Sequence, residues 1–203
     1  MIKNIIFDFG DIFINLDKIK FKEELNILGI NSDNKEFTSI LNNYEMGLLS
    51  STEFFSFFEK KIAVSSEDLK IAWNSILLNF PEHRLAFLKE LTRTKKYRLF
   101  LISNTNDLHI SWIQKNWGMN LYNEFKSCFE QFYLSHEIKM RKPNANIYEF
   151  VLHENNLKAN ETLFVDDTKE NTDAATILGI KVWNLIPGKE DVTELFTKKE
   201  FTI

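Results

Sequence analysis

Sulfur chemistry is almost missing from this chain. A single cysteine, Cys128, rules out an intrachain disulfide and any zinc cluster built on sulfur. Nothing beside it marks a nucleophile, so a small buried apolar side chain is the expected role. Proline and glycine are sparse, at three and six of 203 residues, and there is no Gly/Ser linker, repeat or low-complexity tract. No apolar run approaches the ~20 residues that span a bilayer. The apolar stretch within Met1–Asp8 is too short for a secretory signal, so the cytoplasm is the expected location. Charge of one sign is not concentrated anywhere. The 25 basic and 29 acidic residues are mixed, net −4, without the basic stripe of a nucleic-acid binder. His83, His109, His136 and His153 show no ligand spacing; His109, placed after the loop that ends the second strand, reads either as a helix-surface residue, the favoured expectation, or as one that approaches a ligand.

Apolar residues are plentiful, at 44%, which excludes disorder and suits one domain with a modest insertion. Nineteen phenylalanines supply much of the core volume. Four runs read as buried strands: Ile5–Phe7, Tyr97–Ile102, Thr162–Val165 and Lys181–Leu185, with Gln131–Leu134 a weaker fifth. Helical spacing fills the gaps, as at Leu85, Leu88 and Leu91, or at Ala174, Ala175 and Leu178 before the stop at Gly179. Alternating strands and helices predict an α/β fold, a parallel Rossmann-like sheet with helices on both faces. From about Asp17 to Phe80 the pattern is helical throughout, with Phe54, Phe55, Phe58 and Ile62 on one face and Ser51 as the expected N-cap. This predicts a core domain of residues 1–16 and 81–203, interrupted by a small helical cap over 17–80.

Ligands of open parallel sheets bind at the carboxyl ends of the strands. Here those ends carry Asp8-Phe9-Gly10-Asp11, Ser103-Asn104-Thr105-Asn106 and Asp166-Asp167, with Asn171 following. Met140-Arg141-Lys142-Pro143 precedes the strand that leads to Asp166. Three carboxylates brought together call for a cation, and hard oxygen ligands favour Mg²⁺. Ser103 offers a hydroxyl and the amides after it a cradle for phosphate oxygens at a helix start. Lys142 adds positive charge for a transferring phosphoryl group, and a carboxylate backed by Mg²⁺ and Lys suits covalent phosphoryl transfer.

Phe7-Asp8-Phe9-Gly10, Leu101-Ile102-Ser103-Asn104-Thr105, Arg141-Lys142-Pro143 and Val165-Asp166-Asp167 resemble the four motifs of the haloacid dehalogenase superfamily. The likeness runs to about residue 190 and is nearer to the branch of the alpha-D-glucose-1-phosphate phosphatases. It implies Asp8 as nucleophile and Mg²⁺ on Asp8, the Gly10 carbonyl and Asp167, with Asp166 at the metal or its waters. It also implies Ser103 and Asn104 on phosphate, Lys142 steadying Asp8 and the phosphoryl oxygens, and Asn171 supporting the loop. The substrate class implied is a small phosphorylated metabolite, with a sugar phosphate leading. Most phosphatases of the superfamily carry an acid–base Asp where this chain has Gly10. Asp11 either substitutes from an irregular turn or begins a turn and faces solvent. Two other outcomes stand beside the phosphatase: a weakened protein that binds a phosphorylated metabolite, and a dehalogenase-type hydrolase acting at carbon. Glu45-Met46-Gly47 reads either as a specificity loop or as a plain inter-helix turn, and Trp73 as core.

Overall fold

The computed structural model describes residues 1–198. Strand β1 (Asn4–Phe7) is followed by four helices, α1 (Lys18–Ile27), α2 (Lys35–Glu45), α3 (Ser51–Ile62) and α4 (Ser66–Asn74). Helix α5 (Glu82–Thr94) leads into β2 (Arg98–Ser103), then α6 (Asp107–Trp117), α7 (Met119–Lys126), β3 (Gln131–Leu134), α8 (Ser135–Ile138) and α9 (Ala145–Glu154). Strand β4 (Thr162–Asp166), α10 (Lys169–Ile177) and β5 (Lys181–Asn184) complete the alternation. All pairings are parallel, in the order β3-β2-β1-β4-β5. The weaker run at Gln131 is thus a true strand, at the sheet edge. No helix among the described residues is long and apolar enough to cross a membrane.

The strand runs are continuously apolar because both faces of the sheet are covered. Ile5, Phe7, Leu99, Leu101, Leu163 and Val165 enter one buried cluster, which also holds Phe9, Phe13, Phe125 and Phe129. Their neighbours Ile6, Phe100, Ile102 and Phe164 enter the opposite cluster, with Tyr148 and Val151 of α9. Cys128 is buried, as expected for a small hydrophobe. Lys95, the C-cap of α5, has the left-handed backbone that turns the chain toward β2.

The inserted helices bury a third cluster of their own, centred on Trp73, Tyr44, Phe54 and Phe58. Trp73 is a packing residue, edge-on to Phe54 at 4.7 Å. The N-cap of α3 is Ser50, not Ser51: its hydroxyl and the Glu53 carboxylate form a reciprocal capping box. Ser51 is freed by that arrangement and donates instead to Asp107 Oδ1 at 2.7 Å, at the start of α6. The chain enters and leaves the insertion through paired segments, Asp17 N–H to Ile76 O at 2.8 Å and Leu78 N–H to Asn15 O at 3.0 Å.

Candidate active site

Asp8 lies one residue past the central strand β1, and the order of strands reverses on either side of it. Lys142 is the residue around which the site is built. Its ammonium is 1% exposed and reaches Asp8 Oδ1 at 2.7 Å and Asp166 Oδ2 at 2.6 Å. Burial works against that charge, but Asp166 and Asp8 outweigh it and hold the pKa above its ordinary value. Asp166, the last residue of β4, is fully buried and accepts the Thr168 N–H at 2.8 Å and the Asn171 amide at 3.0 and 3.1 Å. Asn171 is fixed in turn by Tyr148, whose hydroxyl donates to its carbonyl at 2.9 Å. Burial drives the Asp8 carboxyl up from 3.8 to about 7; Lys142 opposes this, while Asp166 and Asp167 add to it. The three carboxylates offer oxygens within 4.8 Å of one another, a group able to hold a metal ion.

The loop after β2 is clamped on both sides. Ser103 is buried at the strand end and lines the cavity. The Asn104 amide is occupied at both ends, donating to Lys142 O at 2.9 Å and accepting the Lys142 N–H at 2.9 Å. The Asn104 side chain therefore positions the Lys142 backbone, which leaves the phosphate contact expected of Asn104 to its own backbone N–H. Ser135 does the same for the next residue: Thr105 N–H donates to its hydroxyl at 2.9 Å, and the hydroxyl donates to Thr105 O at 3.0 Å. Asn106 then caps α6 by accepting the His109 N–H at 3.0 Å. Residues Ser103 to Thr105, just ahead of α6, line the same cavity as Asp8.

Asp11 begins a turn, as one expectation had it, but its carboxylate is neither turned to solvent nor free for acid–base work. Its side chain is only 11% exposed and it neither faces solvent nor lines the cavity. Oδ1 accepts the Leu16 N–H at 3.0 Å and Oδ2 meets Lys18 Nζ at 2.8 Å. Lys18 also reaches Asp167 Oδ2 at 2.7 Å. The place beside Gly10 is filled as well. A Cβ built on Gly10 would stand 2.7 Å from Leu16 Cδ1, so the side chain of Leu16 occupies the space an acid–base arm would enter.

A cavity of about 470 Å³ opens over Asp8, bounded by Ser103, Lys142, Asp167, Leu16, Glu45 and His109, among others. Glu45 ends α2 and accepts from Arg141 Nε at 3.1 Å and from a terminal Arg141 nitrogen at 2.9 Å. Gly47 locks this turn onto α8: its φ is 61°, and an added Cβ would lie 2.1 Å from the His136 carbonyl oxygen. The Glu45–Gly47 segment is thus a helix end packed on α8 that also places a carboxylate on the cavity wall. His109 is not on a helix surface. Its ring stacks on Trp73 at 5.6 Å, its Nε2 donates to Trp73 O at 3.1 Å, and burial lowers its pKa to about 4. With Nδ1 facing the Asn106 amide at 3.3 Å, both nitrogens are committed and the ring is neutral near pH 7.

A family model described as haloacid dehalogenase-like hydrolase matches residues 5–185. The chain belongs to that family. Within it, the chain is 28% identical over 194 residues to the D-ribitol-5-phosphate phosphatase of Bacteroides thetaiotaomicron, covering 90% of this chain and 91% of that protein. A haloacid dehalogenase family enzyme from the same organism, crystallised as a magnesium complex, superimposes with a TM-score of 0.84 at 34% identity, over 97% of this chain and 99% of that one. An aspartate-to-alanine variant of that enzyme, bound to magnesium and inorganic phosphate, gives a TM-score of 0.83 at 32% identity, with 97% and 99% covered. Of the residues around the site, Lys18 and Tyr148 have no signal in the sequence. Each acts through a partner far along the chain, and no local spacing announces such pairs.

Proposed function

We propose that this protein is a magnesium-dependent phosphatase that hydrolyses a small phosphate monoester, a sugar or sugar-alcohol phosphate, in the cytoplasm. The observation that carries this reading is the buried Lys142 ammonium joining Asp8 and Asp166 on the floor of the cavity. An Asp8 oxygen attacks phosphorus, the bond to the leaving oxygen breaks, and the alcohol departs with a proton from water. A water then attacks the same phosphorus, the bond to Asp8 breaks, and inorganic phosphate leaves. Lys142 keeps Asp8 oriented and sits against the phosphoryl oxygens, while Ser103 and the backbone N–H of Asn104 after it receive them. Asn104 and Asp166 hold Lys142 in place.

Asp8, Asp167 and the Gly10 carbonyl would hold magnesium, with Asp166 beside it. The all-oxygen donor set within 4.8 Å supports the fit. Bound there, the ion neutralises charge on the transferring phosphoryl group. Residues 1–16 and 81 onward form the core domain in this reading and 17–80 the cap, in keeping with the separate aromatic cluster of α1–α4.

The test is phosphate release from a panel of sugar, sugar-alcohol, nucleotide and acid phosphates, with Mg²⁺ and with chelator. Release that requires Mg²⁺ is expected. Turnover of a haloacid without metal would point to the carbon-centred hydrolase, and no release from any substrate to the binding protein.

That last reading has one observation in its favour, the Leu16 methyl beside Gly10. It yields a prediction. Gly10→Asp alone should lower thermal stability, by about 1–3 kcal/mol for overpacking, with little gain in turnover. Gly10→Asp with Leu16→Ala makes room for the arm. If the missing arm limits the reaction, phosphate release by that double variant should rise by up to roughly 10²-fold. An unchanged rate in a folded double variant would mean the proton is already supplied from elsewhere.

A further inference from the structure

Four carboxylates gather at the carboxyl edge of the sheet, and two ammonium groups serve them. Lys142 takes Asp8 and Asp166; Lys18 takes Asp11 at 2.8 Å and Asp167 at 2.7 Å. The two lysines differ in freedom. Lys142 is 1% exposed and its backbone is gripped by Asn104, so its ammonium has no way out. The Lys18 side chain is 53% exposed, and it is the first residue of α1, within the inserted helices. Its long stem lets the charge leave Asp167 for water. The oxygen it holds belongs to Asp167, one of the three carboxylates that could share a metal ion.

We propose that Lys18 is a built-in counter-ion of this site, which holds Asp167 when no divalent cation is bound and competes with the cation for that carboxylate. The inference rests on the magnesium reading above. Because Lys18 starts α1, the contest ties cation affinity to the attachment of that helix to the sheet. The coupling is reciprocal: a cation on Asp167 loosens the α1 tether, and whatever tightens α1 onto the sheet weakens cation binding. Asp11, which could not serve as an acid–base arm, acquires a role here as the anchor that keeps Lys18 within reach of Asp167.

Calorimetric titration of Mg²⁺ into the substrate-free protein tests this, with wild type beside Lys18→Met, Lys18→Arg and Lys22→Met. Lys22 is on the same helix and pairs with Asp33 at 2.9 Å, so its loss removes an equal charge without touching Asp167. Lys18→Met should bind Mg²⁺ about tenfold more tightly than wild type, a coupling of ordinary size. Lys18→Arg and Lys22→Met should stay near wild type. Amide exchange gives the second readout: Mg²⁺ should quicken exchange in α1 of the wild type and leave that of Lys18→Met unmoved. Equal or weaker Mg²⁺ affinity in Lys18→Met would overturn the inference alone, as would equal tightening by Lys22→Met. Binding by none of the four would overturn it together with the magnesium reading.

Discussion

Asp8→Asn should reduce phosphate release by roughly 10⁴-fold or more while the protein stays folded, since the amide cannot form the aspartyl-phosphate. Full activity in the variant, without deamidation back to Asp, would sink the nucleophile assignment. Stability carries a second, independent signature. Burial first, then Asp166 and Asp167, raise this carboxyl from 3.8 to about 7 against the pull of Lys142. An acid that holds its proton more tightly when folded stabilises the fold fully below its unfolded pKa, and that contribution is lost as pH rises through the folded value. In chelator, the wild type should therefore lose stability relative to Asp8→Asn as pH climbs from 3.8 to about 7. Unfolding curves at several pH values would show it, and parallel trends for the two proteins would contradict it.

Lys142→Met should be the most damaging single change to both fold and activity. Its ammonium is 1% exposed, between Asp8 at 2.7 Å and Asp166 at 2.6 Å. Methionine fills similar space but leaves two carboxylates facing each other without a counter-charge. Removing one member of a buried charge pair costs about 3–5 kcal/mol. For a chain of this size that is a fall in Tm of roughly 10 °C or more. Lys142→Met with Asp166→Asn separates structure from chemistry. The second change removes the charge that the first abandoned, so stability should recover in good part while phosphate release stays absent. A single variant as stable and active as wild type would remove Lys142 from the site. Recovery of activity in the double variant would make its role structural only.

The strand ends were readable before any coordinates. Ile5–Phe7, Tyr97–Ile102 and Thr162–Val165 are apolar on both faces because both faces are covered, and such runs stand out against polar surroundings. Each ends in residues that chemistry would choose for phosphate and metal, so Asp8, Ser103, Asp166 and Asp167 could be named from chain order alone. Capping was less legible by one position. Both Ser50 and Ser51 are capable caps, and only the reciprocal bond with Glu53 selects Ser50. Asp11 and His109 were misplaced for a different reason. His109 depends on Trp73, which approaches only after the helices have packed, and Asp11 is drawn inward by Lys18 and by the Leu16 N–H of its own loop.

Asn104 shows the limit most clearly. The resemblance implied a phosphate contact for it, and nothing local announced that its side-chain amide would also hold the backbone of Lys142, 38 residues away. By itself the sequence determined the α/β class, the order of strands and helices, and which carboxylates and lysine the strand ends would bring together. Those follow from hydrophobic periodicity and side-chain chemistry, which are properties of neighbours along the chain. The tertiary structure alone decided which lysine serves which carboxylate and that Leu16 fills the space beside Gly10. It also decided that Glu45 and Arg141 meet on the cavity wall. Such pairings depend on side chains from separate elements arriving within hydrogen-bond distance, and packing sets that distance after the local pattern has done its part.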